Sequence, residues 1–120
     1  MFRDMAAIYD FNITQGDEFA VRLTVTTGTS GGMDLSGYAA RGYVKNKYSD
    51  TGVLLDLSPT VVSGDLGALY ASGYLDIAVS GDQTKSLPVT QGVFDIEIYK
   101  GTYAKKVAIG NVNISPEVTN

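Results

Sequence analysis

Short runs of alternating apolar and polar residues are the feature that most limits how this chain can fold. In the clearest run, residues 19–26, every second residue is apolar. A period of two sets one face of an extended strand toward a core and the other face toward solvent. The run therefore predicts a half-buried β-strand, and the glycine-rich residues 28–32 that follow predict a loop.

Six more segments alternate in the same way and lie between turn-forming residues. The predicted strands pass through Tyr9, Phe11 and Ile13, and then cover residues 38–47, 53–57, 74–79, 93–100 and the chain from Ala104 onward. Residues 15–18 predict a hairpin-like corner before the strand at residues 19–26. In the last strand the apolar phase shifts at Gly110-Asn111, which predicts a β-bulge there.

One segment, residues 80–87, breaks the alternation and predicts a single helical turn near residues 81–87. Ser80 or Asp82 can cap the start of a helix, and Pro88 can end it. Residues 68–71 fit either a helix or a strand.

About seven short strands, one helical turn and no helix long enough to connect parallel strands are typical of an all-β fold, an antiparallel sandwich. We expect one domain spanning residues 1–120, of which residues 1–7 could form a flexible N-terminal arm. The chain has no Cys and no Trp, so it lacks the disulfide and the tryptophan of antibody domains. An immunoglobulin-like variant and a small Greek-key barrel both fit these patterns.

The absence of His and Cys removes the usual imidazole bases, thiolate nucleophiles and nearly all protein zinc sites. The net charge is −4 and the cations are scattered, whereas nucleic-acid binding requires clustered cations. No apolar stretch approaches the roughly 20 residues that span a bilayer, and residues 1–5 lack the apolar core of a signal peptide. We therefore expect a soluble protein that is not an enzyme, with no cofactor and no nucleic-acid or membrane partner.

We consider two kinds of ligand site, a phosphate loop and a calcium site. Residues 28–32 do not predict a phosphate loop, because neither a Lys-Ser/Thr pair nor a helix follows them. The carboxylates show no EF-hand spacing, and Asp76 and Asp95 alternate with apolar residues, which indicates a solvated outer face. If calcium binds at all, the loop carboxylates Asp17 and Asp65 are the first candidates.

Eight tyrosines are unusual in a chain without tryptophan. Tyr43 and Tyr99 fall on the polar phase of their strands, where an amphipathic ring can serve a protein interface. Tyr38 and Tyr74 are expected to pack inward. The predicted interface residues are Tyr9, Phe11, Tyr43, Tyr99 and Tyr103. The simpler interpretation is that the surface aromatics only fill space between strands.

A family resemblance rests on motifs near both ends of the chain. These are Gln15-Gly16-Asp17 before an alternating strand, then Asp34-Leu35-Ser36-Gly37-Tyr38 and Ala40-Arg41, and finally Phe94-Asp95-Ile96-Glu97-Ile98 and Gly110 through Pro116-Glu117-Val118-Thr119. In their order and spacing they resemble the immunoglobulin-like N-terminal domain of phage baseplate upper proteins and related small structural proteins of tailed-bacteriophage particles. In the baseplate proteins more chain follows this domain, so the resemblance implies that a stand-alone module works by docking.

The resemblance implies a non-enzymatic virion structural protein that docks in the tail, baseplate or neck. Its partners would be other virion proteins and copies of itself, and its location would be the virion, assembled in the host cytoplasm. A capsid decoration protein that stabilises the head is an alternative. A carbohydrate- or receptor-binding module is an alternative of another class, in which exposed tyrosines stack on sugar rings beside loop carboxylates.

Overall fold

A computed structural model describes residues 7–26, 34–62 and 73–117. In this part of the chain, eight strands and one short helix follow one another. They are β1 (Ala7–Thr14), β2 (Phe19–Thr24), β3 (Ala39–Lys45), β4 (Leu55–Asp56), β5 (Thr60–Val61), β6 (Tyr74–Val79), α1 (Gly81–Lys85), β7 (Gln91–Lys100) and β8 (Tyr103–Ser115). Each predicted strand has a counterpart, and β5 includes Val61, where the sequence also allows a few extended residues at 61–62.

The strands form two sheets, one with the order β1-β8-β7-β3-β4 and one with the order β2-β6-β5. In a variable-type immunoglobulin domain, strands C, F and G share one sheet with C′, while B, E and D share the other. Here β3, β7, β8 and β4 share one sheet, and β2, β6 and β5 share the other. The predicted all-β sandwich is confirmed.

The first strand departs from a purely antiparallel arrangement. β1 pairs with β8 in parallel, from Ala7 opposite Ala108 to Thr14 opposite Ser115, whereas the other strand pairs in the described ranges are antiparallel. The corner at residues 15–18 is not a hairpin, because it carries the chain from the five-stranded sheet to the three-stranded sheet. β1 therefore takes its partner from the other end of the sequence.

The two sheets enclose a hydrophobic core built from the inward phase of the strands. The buried apolar residues of the strands are Phe11, Ile13, Leu23, Val44, Leu55, Leu75, Ile77, Val79, Phe94, Ile96, Ile98, Ala108, Val112 and Ile114. Leu35, Leu57 and Leu87 add buried side chains from the connections. Because the chain has no Cys, burial of this apolar surface is the main stabilising contribution.

The irregularity in β8 lies three residues earlier than predicted. The register between β7 and β8 shifts after Ile96, and Val107 is the extra residue on β8. The predicted bulge at Gly110-Asn111 is wrong, because Gly110 lies on the buried phase of a regularly paired stretch. The change of apolar phase has another cause, since Ile109 is a half-buried side chain on the outer face.

The helix forms where the sequence predicts it. The Ser80 hydroxyl accepts a hydrogen bond from the backbone N–H of Gln83, and the Gln83 side chain accepts one from the backbone N–H of Ser80. This reciprocal capping box satisfies donors that the first helical turn leaves unpaired. The cap is Ser80 rather than Asp82, and the helix ends at Lys85.

Some predictions concern residues outside the described ranges. These are the loop at residues 28–32, Asp65, residues 68–71 and residues 1–6 of the predicted arm, whereas Ala7 is the first residue of β1. None of the helical residues that the structure describes belongs to a helix of the length and apolarity needed to cross a membrane.

Candidate interaction surface

The outer face of the five-stranded sheet collects polar and aromatic side chains from neighbouring strands. The register of β3 and β7 sets Tyr43 opposite Asp95 and Arg41 opposite Glu97, with Tyr99 two residues further along β7. Directly opposed residues of an antiparallel pair project from the same face. The intervening residues of β7 are buried, so this set faces away from the core.

Part of this face is held together by ion pairs and a ring contact. We call the outer side chains Arg41, Tyr43, Asp95, Glu97, Tyr99 and Lys106 the charged half. Arg41 Nε donates to Glu97 Oε1 at 2.6 Å, and Lys106 Nζ lies 3.1 Å from Asp95 Oδ2. The Arg41 guanidinium carbon lies 4.7 Å from the centre of the Tyr99 ring. These contacts restrict long side chains before any partner is bound, which lowers the entropy lost on binding.

The three-stranded sheet carries the same kind of arrangement on its own outer face. Arg22 donates to both carboxylate oxygens of Asp76, at 2.7 and 2.9 Å, and lies 4.9 Å over the ring of Tyr74. The hydrogen bonds from Arg22 lower the pKa of Asp76 below its ordinary value, and the hydrogen bond to Glu97 raises the pKa of Arg41. Each sheet therefore has one cross-strand pair of arginine and carboxylate beside a tyrosine.

Two of the predicted interface residues, Tyr43 and Tyr99, lie together on the charged half. Both are half-buried, and both occupy the outward phase that the alternation predicts. They are four positions apart in the register of β3 and β7, which corresponds to about 13 Å along the strands. One face of the Tyr99 ring is covered by Arg41.

The other three candidates lie elsewhere. Phe11 is buried in the core, with its ring 4.2 Å from that of Phe94; its assignment to an interface is corrected, because it occupies the inward phase of β1. Tyr9 shares that phase and packs against the core. Tyr103 is 49% exposed, but it lies at the start of β8, where its ring meets Tyr38 edge-on at 6.1 Å.

The expectations for the two inward tyrosines have different outcomes. Tyr38 packs against the core as expected. Tyr74 does not, because Leu75 takes the inward phase of β6 with no exposed surface. The Tyr74 ring lies on the outer face beneath Arg22.

The corner between β1 and β2 is fastened to the helix by a buried threonine. Thr84 Oγ1 donates to the carbonyl oxygen of Asp17 at 2.8 Å and accepts from the N–H of Gly16 at 3.0 Å. Gln15 Nε2 donates to the carbonyl oxygen of Leu87 at 2.6 Å. Gly16 has a φ of +85°, a conformation that residues with a Cβ rarely adopt. This cluster has a structural role, because its polar groups satisfy one another.

The corner at residues 34–38 contributes one buried side chain to the core. Asp34 Oδ1 accepts hydrogen bonds from the backbone N–H and the hydroxyl of Ser36, at 3.0 and 2.7 Å. These bonds lower the pKa of the Asp34 carboxyl. Leu35 is fully buried. The conformation of this motif is therefore set by a turn and a core contact.

No group of three or more Asp or Glu residues in the described ranges is placed to hold a metal ion. Asp17, one of the two calcium candidates, is exposed at the corner between β1 and β2. The structure therefore brings no set of carboxylates to Asp17.

Tyr48 belongs to the same outer face, although strand patterns do not predict it. It follows β3 in the connection to β4 and is 51% exposed. Its Oη lies 3.2 Å from the carbonyl oxygen of Phe94 and 3.3 Å from that of Gly110. These two residues are paired across β7 and β8, so the side chain reaches over the sheet. The sequence gives one indication of this residue, because Tyr48 is an aromatic side chain in an otherwise polar turn.

Comparison with known proteins adds no further assignment. The scan against protein-family models gives no match, and the search of curated proteins gives no similar sequence. The structure shows an all-β sandwich. The resemblance to phage proteins stays a prediction from the sequence motifs.

Proposed function

We propose that this chain is a non-enzymatic structural protein of a tailed-bacteriophage particle, acting as a docking or adaptor module in the tail, baseplate or neck. The observation that carries the docking role is the charged half, in which two tyrosines and two ion pairs lie on neighbouring strands. The phage setting is supported by the motifs at residues 15–17, 34–41, 94–98 and 110–119.

The charged half has the chemistry of a protein-binding surface. Tyr and Arg are enriched in interfaces, because each combines a large contact area with directed hydrogen bonds. Here Arg41 is held between Glu97 and Tyr99, so a partner meets an arranged side chain rather than a mobile one. Both charges of each ion pair lie within this chain, so a partner has no lone charge to compensate.

The same geometry gives less support to sugar binding at Tyr99. Stacking on a sugar requires a free ring face, and Arg41 already covers one face of that ring. The alternative of a capsid decoration protein differs from the adaptor role only in where the particle holds the chain, and the experiment below separates the two.

The test compares two tyrosines that sit in equivalent surroundings on opposite sheets. Tyr99→Ala removes a ring beside the pair Arg41 and Glu97, and Tyr74→Ala removes a ring beside the pair Arg22 and Asp76. Each variant is co-expressed with the wild-type chain during phage assembly. Quantitative mass spectrometry of purified particles then gives the ratio of variant to wild type.

Tyr99→Ala is expected to be depleted in particles about tenfold, which corresponds to roughly 1.4 kcal/mol of lost binding free energy. Tyr74→Ala is expected to enter particles as well as the wild type does. Absence of the wild-type chain from purified particles would overturn the phage assignment. Equal incorporation of both variants would overturn the role of the charged half. Heads and tails are then separated. Recovery of the chain with heads indicates a decoration protein, and recovery with tails indicates an adaptor.

A further inference from the structure

A second part of the same outer face carries a chemically different set of side chains. We call its members the amide half: Asp10 and Asn12 of β1, Asn111 and Asn113 of β8, and Gln91 of β7. The register sets Asn12, Asn113 and Gln91 side by side in one cross-strand row, and Asp10 and Asn111 in the next. All five side chains are exposed. The amide half spans three strands, which is about 10 Å across.

The hydroxyl end of Tyr48 reaches the backbone of β8 directly beside one member of this set, Asn111. Its hydroxyl is hydrogen-bonded above the paired residues Phe94 and Gly110, and Asn111 directly follows Gly110 on the outward phase of β8. Tyr48 also lines a shallow crevice with Tyr43 and Lys45 of β3 and with Val93 and Asp95 of β7. Val93 is paired with Asn111 across β7 and β8. The aromatic ring is thus anchored at its hydroxyl end while half of the side chain remains exposed.

The polar groups of the amide half have no partners in the part of the chain that the structure describes. No hydrogen bond or ion pair joins any of the five side chains to another described residue. Each carboxamide offers two N–H donors and an acceptor oxygen. This differs from the charged half, where Arg41 and Lys106 are both engaged. The amide half therefore has free hydrogen-bonding capacity and little net charge.

We propose that Tyr48 and the amide half form a binding site for a neutral oligosaccharide. A sugar ring has an apolar C–H face that suits an exposed aromatic ring. Its edge carries adjacent hydroxyl groups that both donate and accept, and planar carboxamides match both functions. Asp10 is negative and Lys45 is positive, and Asp95 in the crevice at Tyr48 is already paired with Lys106. The site therefore has little net charge, and an uncharged ligand fits better than an anionic one.

This inference does not depend on the proposed docking role, although Tyr43 and Asp95 of the charged half also line the crevice at Tyr48. Tyr48 rather than Tyr99 is the stacking residue. A chain could dock through the charged half and still present the amide half to a sugar. Tyr99 does not line that crevice, so Tyr99→Ala is expected to leave sugar binding unchanged.

The test is a nuclear magnetic resonance titration of the full-length, ¹⁵N-labelled chain with cellohexaose, mannohexaose and chitohexaose. The side-chain NH₂ resonances of Asn12, Asn111, Asn113 and Gln91 report directly on the amide half. Sorbitol at a matched hydroxyl concentration is the control ligand, because it has hydroxyl groups but no ring face. We expect saturable shifts in these resonances with at least one hexasaccharide and none with sorbitol.

Two variants with a matched control make the test specific. Tyr48→Ala is expected to weaken binding about tenfold, and Asn111→Ala also weakens it, whereas Tyr103→Ala removes a comparably exposed tyrosine and leaves binding unchanged. The backbone spectrum shows in the same experiment that each variant is folded. The proposal is overturned if no hexasaccharide gives saturable shifts, or if Tyr48→Ala binds as the wild type does. Shifts in the same resonances only on addition of another particle protein would assign the amide half to protein docking instead.

Discussion

Thr84 shows how much one buried polar residue determines in this fold. It is the buried polar side chain of the described core, and its hydroxyl serves the corner between β1 and β2 as both donor and acceptor. A buried hydroxyl is tolerated only when its hydrogen bonds are formed. The corner motif at residues 15–17 is therefore matched to a residue some 70 positions away, and local sequence does not reveal that partner.

Replacing Thr84 tests this dependence. Thr84→Val keeps the shape of the side chain but leaves the N–H of Gly16 and the carbonyl of Asp17 without their partner, so we expect a loss of about 1–3 kcal/mol in the free energy of unfolding. Urea denaturation measures the loss. Thr24→Val, at an exposed position of β2, is the matched control and is expected to be close to neutral. Equal midpoints for the two variants would show that the Thr84 hydroxyl is not needed.

Individual residues show which features alternation predicts and which it does not. The outward phase of Tyr43 and the buried phase of Ile96 follow from a period of two and are confirmed. The expectation that Tyr74 packs inward is wrong, because Leu75 holds the inward phase of β6. A long side chain on the outward phase can be half-buried by a neighbour such as Arg22, and that neighbour is set by strand register.

Among the elements, β1 is the strand whose placement the sequence least reveals. Its alternation predicts a strand but does not reveal its partner. That partner is β8, which lies at the other end of the sequence and pairs with β1 in parallel. The pairing depends on Gly110, because a Cβ at that position would overlap the carbonyl oxygen of Tyr9. Phe11 then stacks on Phe94 inside the core. These long-range contacts have no local sequence signal.

Substitution of Gly110 is expected to displace β1. Gly110→Ala forces the backbone at Tyr9 away from β8, so we expect a loss of roughly 2–4 kcal/mol in the free energy of unfolding. Hydrogen exchange is expected to accelerate for the amides of β1 while those between β3 and β7 keep their protection. Gly52→Ala is the control, because a Cβ there meets no atom within 4 Å. Unchanged protection of β1 in Gly110→Ala would contradict this account of the pairing.

At the scale of the whole molecule, each outer face carries one cross-strand pair of arginine and carboxylate. Because Arg22 lowers the pKa of Asp76, the pair stabilises the fold at pH values above the ordinary Asp pKa of about 3.9. That stability is lost as the pH falls through the lowered pKa of the folded state. The side chains of Arg22 and Asp76 are 50% and 40% exposed, so solvent screening keeps the contribution small.

A double-mutant cycle over Arg22→Gln and Asp76→Asn measures this contribution. We expect a small favourable coupling free energy near neutral pH. The coupling is expected to vanish in acid, once the Asp76 carboxyl is protonated in the folded state. Thermal or urea unfolding of the four proteins at both pH values gives the two couplings. A coupling that is equal at both pH values would rule out the ion pair as its source.

The candidate surface could be predicted in part. Alternation gave the outward phase of Tyr43, Tyr99 and Asp95, because phase is a local property of a strand. The pairing of Arg41 with Glu97 and the row of amides depend on the register between strands far apart in sequence. Tyr48 depends on the path of a connection over the sheet. Neither register nor loop path is encoded in a local repeat.

The parallel pairing of β1 with β8 has a mechanical consequence. Ala7 at the start of β1 lies beside Ala108, and Ser115 at the end of β8 lies beside Thr14. A pulling force applied at Ala7 and Ser115 in opposite directions would therefore run along both strands and load their shared hydrogen bonds in shear. Hydrogen bonds loaded in shear must break together, whereas those of a hairpin pulled from its open end break one after another. The β1–β8 pair is therefore expected to resist tension along its strands better than peeling from one end.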